Sequence, residues 1–140
     1  MSSAPSQSGS YRVVLVDDEP HITRMVERRL AQLGYEVRTA GDGQQGLNLI
    51  HEVMPDLVVT DLQMPYMSGI ELATRLWSSE KTKGIPVVML TARGFIVEQQ
   101  ISDLKNIRAL LSKPFSTRSL VDQIGSILGG GTGDATGRVA

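Results

Sequence analysis

Three short apolar runs constrain this chain's fold more than any other feature. Val13-Val14-Leu15-Val16, Leu57-Val58-Val59 and Val87-Val88-Met89-Leu90 are continuous rather than alternating. A strand with one wet face alternates, whereas a strand covered on both faces does not, so these runs predict a parallel sheet buried between helices. The stretch from Tyr35 to Thr39 is weaker, with Tyr35 and Val37 at a period of two, and suits a strand near an edge. Ala109-Leu110-Leu111 supplies a fifth candidate strand.

Helical spacing fills the gaps between the runs. Ile22, Met25, Val26, Leu30 and Leu33 share a stripe, with Pro20 suited to the first turn and Gly34 to the position just past the end. Leu47, Ile50 and Val53 mark a second helix, with Asp42 as its cap. Ser68-Gly69-Ile70-Glu71 has the spacing of a capping box before Leu72, Leu76 and the single Trp77. Leu120, Val121, Ile124, Ile127 and Leu128 make a last helix, capped by Ser116 or Thr117. Residues 94–105 fit a short helix through Ile96, Val97, Ile101 and Leu104, closed by Asn106 in the left-handed conformation.

Each strand recurs after roughly 20–30 residues, the size of a βαβ unit. Five such units are too few for a closed eight-stranded barrel. The expected fold is therefore an α/β, open, doubly wound five-stranded parallel sheet of flavodoxin-like order 2-1-3-4-5, with helices on both faces. Residues 1–10 read as a flexible lead-in without the basic start and apolar run of a signal peptide. Residues 11–128 form the folded domain. Residues 129–140 hold five glycines and read as a tail, or as a linker to an output domain.

Composition excludes several function classes. Fourteen Lys and Arg against fifteen Asp and Glu give a net charge of −1, so there is no electrostatic footprint for nucleic acid. No apolar run reaches membrane-spanning length. With no cysteine, disulfide and thiol chemistry are absent.

The chemistry collects at the strand ends. Asp17 and Asp18 follow the first run, Asp61 the third strand, Thr91 the fourth and Lys113 the fifth. In an open α/β sheet this edge carries the site, at the crevice where strand order reverses. Three converging carboxylates repel one another unless a cation joins them, and oxygen ligands with waters describe a Mg²⁺ site shared with a phosphate. Carboxylate, cation, lysine and hydroxyl are the parts of a phosphoryl clamp. A carboxylate can itself be the nucleophile, and Asp61 is the central candidate.

The pieces Val16-Asp17-Asp18-Glu19, Thr60-Asp61-Leu62-Gln63-Met64-Pro65, Met67-Ser68-Gly69, Leu90-Thr91-Ala92 and Lys113-Pro114-Phe115 occur in this order, each at a strand end. In this the chain resembles the receiver domain of two-component response regulators, chemotaxis receivers among them. The resemblance implies that Asp61 is the phosphoacceptor and that Asp17 and Asp18 bind Mg²⁺, Asp18 more directly, with the Gln63 backbone carbonyl as a further ligand. It implies that Lys113 pairs with the phosphoryl group, that Thr91 donates to it and that the Lys113-Pro114 bond is cis. The implied donor is a sensor histidine kinase or histidine phosphotransfer protein. The implied protein is a cytoplasmic switch that catalyses only its own phosphorylation and dephosphorylation, with no direct nucleic-acid or membrane binding. In the family the Thr commonly pairs with an aromatic residue three positions before the Lys; here Leu110 stands there.

Plainer readings compete residue by residue. Asp18 also suits the cap of the helix opened by Pro20. His21 and His51 read as surface residues, Trp77 as packing, and Arg24, Arg28 and Arg29 as a solvated helix face. A phosphate-independent pseudo-receiver, favoured by Leu110, is the alternative function. A flavin protein of similar topology is disfavoured by the acidic first loop, which repels an anion. An aspartyl phosphohydrolase is disfavoured by Gln63, where a second Asp would be needed.

Overall fold

A computed structural model describes residues 10–92 and 103–129. Its elements are β1 (Arg12–Val16), α1 (Pro20–Gln32), β2 (Glu36–Ala40), α2 (Gly43–Val53), β3 (Leu57–Asp61), α3 (Gly69–Trp77), β4 (Val87–Thr91), β5 (Ile107–Ser112) and α4 (Thr117–Leu128). The strands form one parallel sheet of order β2-β1-β3-β4-β5, the order expected for a doubly wound fold. The short helix expected over 94–105 falls mostly outside the described residues.

The unbroken apolar runs become the three central strands, because each residue of such a strand faces one of two cores. Val14, Val16, Val58, Val87 and Met89 point to one side, against Ile50 of α2 and Leu72, Ala73 and Leu76 of α3. Val13, Leu15, Leu57, Val59, Val88 and Leu90 point to the other, against Val26 and Leu30 of α1 and Leu120 and Ile124 of α4. Burial of each such side chain contributes roughly 1.5–3 kcal/mol. The two edge strands are wetter. β2 buries only Ala40, and β5 leaves Arg108 and Ser112 exposed. A register shift between Val87 and Val88 further breaks the regularity of the β4–β5 edge, which discourages pairing with another chain.

The helix ends follow local chemistry with two corrections. Asp42 accepts from Gln45 N–H at 2.8 Å, Ser68 from Glu71 N–H at 3.1 Å, and Ser116 from Ser119 N–H at 3.0 Å. The box at Ser68 is one-sided, because the Glu71 carboxylate turns to Arg75 at 3.1 Å. Gly34 takes the left-handed turn after α1 with φ 98°. Asp18 does not cap α1: the cap position is Glu19, and no side chain caps there. A third acidic residue displaces the cap by one position.

Asn106 does not close a helix in the left-handed conformation either. The left-handed non-glycine residues among those described are Met54 and Tyr66. Asn106 is instead buried, its Nδ2 donating to the Ala73 carbonyl of α3 at 3.0 Å while its Oδ1 has no hydrogen-bond partner.

Candidate functional site

Asp17 directly follows β1, β3 ends in Asp61 and β4 in Thr91, while Lys113 directly follows β5. Parallel pairing in this order places all four ends on one edge of the sheet. Asp17, Asp18 and Asp61 each offer a carboxylate oxygen, and these oxygens lie within 4.8 Å of one another. Asp17 and Asp61 are buried, whereas Asp18 is exposed. Lys113 crosses from the far side. Its Nζ lies 2.7 Å from Glu19 Oε1, 3.2 Å from Asp17 Oδ2 and 3.3 Å from Asp61 Oδ1.

Backbone bonds hold these groups in place. Lys113 N–H donates to the Thr91 carbonyl at 2.7 Å, which ties the ends of β4 and β5 together. Lys113-Pro114 is a cis peptide bond. Asp17 N–H donates to the Ala40 carbonyl at 3.1 Å, and the Asp17 carboxylate accepts from Glu19 N–H at 2.9 Å. Beneath Asp61, Gly69 N–H donates to the Leu62 carbonyl at 2.8 Å. A Cβ on Gly69 would collide with the Asp61 carbonyl oxygen, so only glycine lets the start of α3 approach the strand end this closely. Gly46 does the same for α2, where a Cβ would stand 2.7 Å from Val16 Cγ2.

The electrostatics follow from crowding three acids around one lysine. Burial pushes the Asp61 carboxyl up to about 6, the Asp17 charge adds to the rise, and Lys113 opposes it. Burial also raises Asp17, against the pull of the Glu19 N–H and of Lys113. For Lys113, burial alone would favour the neutral amine, but bonds and charges from Glu19, Asp17 and Asp61 outweigh it and hold the ammonium above its ordinary range. Glu19 is lowered, through its hydrogen bond to Lys113 and then that charge.

The sequence candidates are thus sorted. Asp17, Asp18, Asp61 and Lys113 come together. Thr91 is buried at the adjoining strand end. Gln63 lies in the exposed loop two residues beyond Asp61. Leu110 sits along β5 opposite Met89, packed against the α2/α3 core rather than at the cleft. His21, His51, Arg24, Arg28 and Arg29 are exposed, and Trp77 is half-buried with Lys83 Nζ 5.1 Å from its ring centre. Glu19 was given no role by sequence reasoning; its only signal was being one acid more than a shared cation needs. Beside it, a groove of about 380 Å³ is lined by Ile22, Met25, Pro114 and Phe115, with Glu19 and Lys113 at its polar end.

Residues 13–125 match the response regulator receiver domain family. The phosphate regulon transcriptional regulatory protein PhoB of Pseudomonas aeruginosa is 39% identical over 117 residues, covering 83% of this chain and 51% of that protein. The chain spans about half the length of the curated relatives it matches. Among solved structures, the chemotaxis response regulator CheY4 of Vibrio cholerae has a TM-score of 0.77 at 30% identity, covering 84% of this chain and 98% of that one. The response regulator TrrA of Thermotoga maritima, solved in complex with Mg²⁺ and beryllofluoride, has a TM-score of 0.74 at 29% identity and covers 84% of this chain and 98% of that one.

Proposed function

Since this chain belongs to the response regulator receiver domain family, we propose that it accepts a phosphoryl group on Asp61 from a phosphohistidine donor. The observation that carries the assignment is the Asp61 carboxylate itself. It is nearly buried at a strand end, 3.3 Å from the Lys113 ammonium and within 4.8 Å of Asp17 and Asp18.

The donor set fits a hard divalent cation, being entirely oxygen, convergent and more negative than Lys113 alone offsets. Asp17, Asp18 and Asp61, with the Gln63 backbone carbonyl, would hold Mg²⁺. When bound, that ion supplies positive charge against the phosphoryl oxygens.

The chain's own residues perform the rest. At neutral pH Asp61 lies above its pKa of about 6 and is in the nucleophilic carboxylate form. One of its oxygens attacks phosphorus, an O–P bond forms as the donor's N–P bond breaks, and the departing imidazole takes up a proton. Lys113 gives a fixed ammonium to the charge gathering on the phosphoryl oxygens, and the Thr91 hydroxyl donates to one of them. The modified side chain carries nearly two negative charges, enough to bias a surface with two arrangements.

The donor is a sensor histidine kinase or a phosphotransfer protein, and it docks along α1 and the apolar groove beside Lys113. No described helix is long and apolar enough to cross a membrane, and we place the protein in the cytoplasm.

Intact mass after incubation with acetyl phosphate and Mg²⁺ tests the reading. One adduct of about 80 Da, absent with chelator and absent in Asp61→Asn, is expected. No adduct, even from a phosphorylated kinase, would refute it and leave a phosphate-independent binding module.

A further inference from the structure

The shortest of the three carboxylate contacts to the Lys113 ammonium is made by a residue with no assigned part in phosphoryl chemistry. Lys113 lies 2.7 Å from Glu19, closer than to Asp17 or Asp61 at 3.2 and 3.3 Å. The contacts to Glu19 and Asp17 have hydrogen-bond geometry. Glu19 also stands at the cap position of α1, where a carboxylate ordinarily accepts from the first turn of its own helix. It makes no such bond. Its side chain is 46% exposed and reaches across the cleft to the lysine instead. The main chain of the same residue secures the arrangement, its N–H donating to Asp17 at 2.9 Å.

We propose that Glu19 is a positioning residue that holds Lys113 in the unphosphorylated state and competes with the phosphoryl group for it. The proposal rests on Asp61 being the phosphoacceptor. An ammonium has three donors, and here they face three carboxylates. A phosphoryl group on Asp61 adds strong acceptors where the Asp61 carboxylate already stands 3.3 Å from the ammonium. Drawing the ammonium onto those more highly charged oxygens pulls it off the 2.7 Å contact with Glu19. Phosphorylation therefore hands Lys113 over, and leaves Glu19 uncompensated at the polar end of the groove it lines with Ile22, Met25 and Phe115.

The test is the affinity of the metal-loaded protein for beryllofluoride, a phosphoryl mimic, measured by titration calorimetry at saturating Mg²⁺. Two variants separate pairing from a general field effect. Glu19→Gln removes the charge. Glu19→Asp keeps the charge but shortens the arm to the length that caps its own helix. Both are expected to bind beryllofluoride about two- to fivefold more tightly than the parent, the range of partly exposed ion pairs. If only Glu19→Gln gains affinity, the residue acts through its field and the proposal falls. It falls equally if neither variant differs from the parent. If the parent binds Mg²⁺ but no beryllofluoride, the phosphoacceptor reading fails, and this inference with it. Asp61→Asn serves as the non-binding control.

Discussion

Replacing Asp61 by Asn should make the metal-free protein more stable at neutral pH, although it removes the group on which the proposed function depends. Asp61 is 6% exposed in the folded chain. Its pKa is pushed from 3.8 to about 6, by burial first and by Asp17 second, with Lys113 pulling the other way. A rise of that size corresponds to about 3 kcal/mol against the charged form. The carboxylate lies at the floor of a cleft beside the exposed Asp18, so water and salt screen part of the repulsion. About 1–2 kcal/mol should remain.

Linkage sets the sign. The folded state binds the Asp61 proton more tightly than the unfolded chain does, so stability falls as pH rises between the two pKa values. The penalty is small at pH 4, grows toward pH 6 and is complete above it. Asn is neutral throughout. Urea unfolding in EDTA should therefore give a variant more stable by about 1–2 kcal/mol at pH 7.5, with most of the difference gone at pH 4. Mg²⁺ should narrow the gap at pH 7.5 by stabilising the charged site of the parent. A variant no more stable than its parent at pH 7.5, or a gap that ignores pH, would refute the reasoning.

Two further substitutions probe how the site is carried. Gly69→Ala drives a Cβ into the Asp61 carbonyl oxygen, with Leu62 Cα and Met89 Sδ each at 3.0 Å; it should cost about 1–3 kcal/mol in urea unfolding and slow acylphosphate formation, and an unchanged phosphorylation rate would contradict the close approach. Thr82→Val removes the buried hydroxyl that donates to the Leu76 carbonyl at 2.7 Å; unfolding should register a loss of about 1 kcal/mol with phosphorylation unaffected, and a stability equal to the parent's would show that bond to be idle.

The central strands and the cleft were legible because they rest on local patterns. Val13–Val16 and Val87–Leu90 lack alternation, are short and rich in β-branched Val, and stand between helical patterns, which together favour strands covered on both faces. Asp17, Asp61 and Lys113 could be placed together because parallel strands bring their C-terminal ends to one edge whatever the helices do. Glu19 was not legible. Neighbouring acids at Asp17, Asp18 and Glu19 are equivalent to any local rule, and only Lys113, distant in sequence and arriving just after β5, separates them. Asn106 was misread for the same reason, since its partner Ala73 is 33 residues away. Met54 could have been found: it precedes Pro55, which disfavours continued helix, and it closes α2 with φ 50°. Tyr66, with φ 69° in the loop before α3, carries no such signal.

Leu110 sharpens what a switch in this chain can consist of. A ring at that position could swing between solvent and the space a threonine vacates, giving two discrete arrangements. Leu110 has no ring to swing, and it already packs with the α2/α3 core opposite Met89, two residues before Thr91. Among the described residues, a route from Thr91 into β5 is offered by the backbone and by aliphatic packing. The backbone route is short, because the Thr91 carbonyl holds the Lys113 N–H at 2.7 Å. A lysine that shifts from Glu19 toward a phosphoryl group pulls on the segment joined to both strand ends and to Phe115 in the groove. On the proposed reading, the change that follows phosphorylation is concentrated near α1 and the loop after β5, close to the proposed docking face of the donor, and the separation of donor from product uses the same lysine that is proposed to stabilise the product.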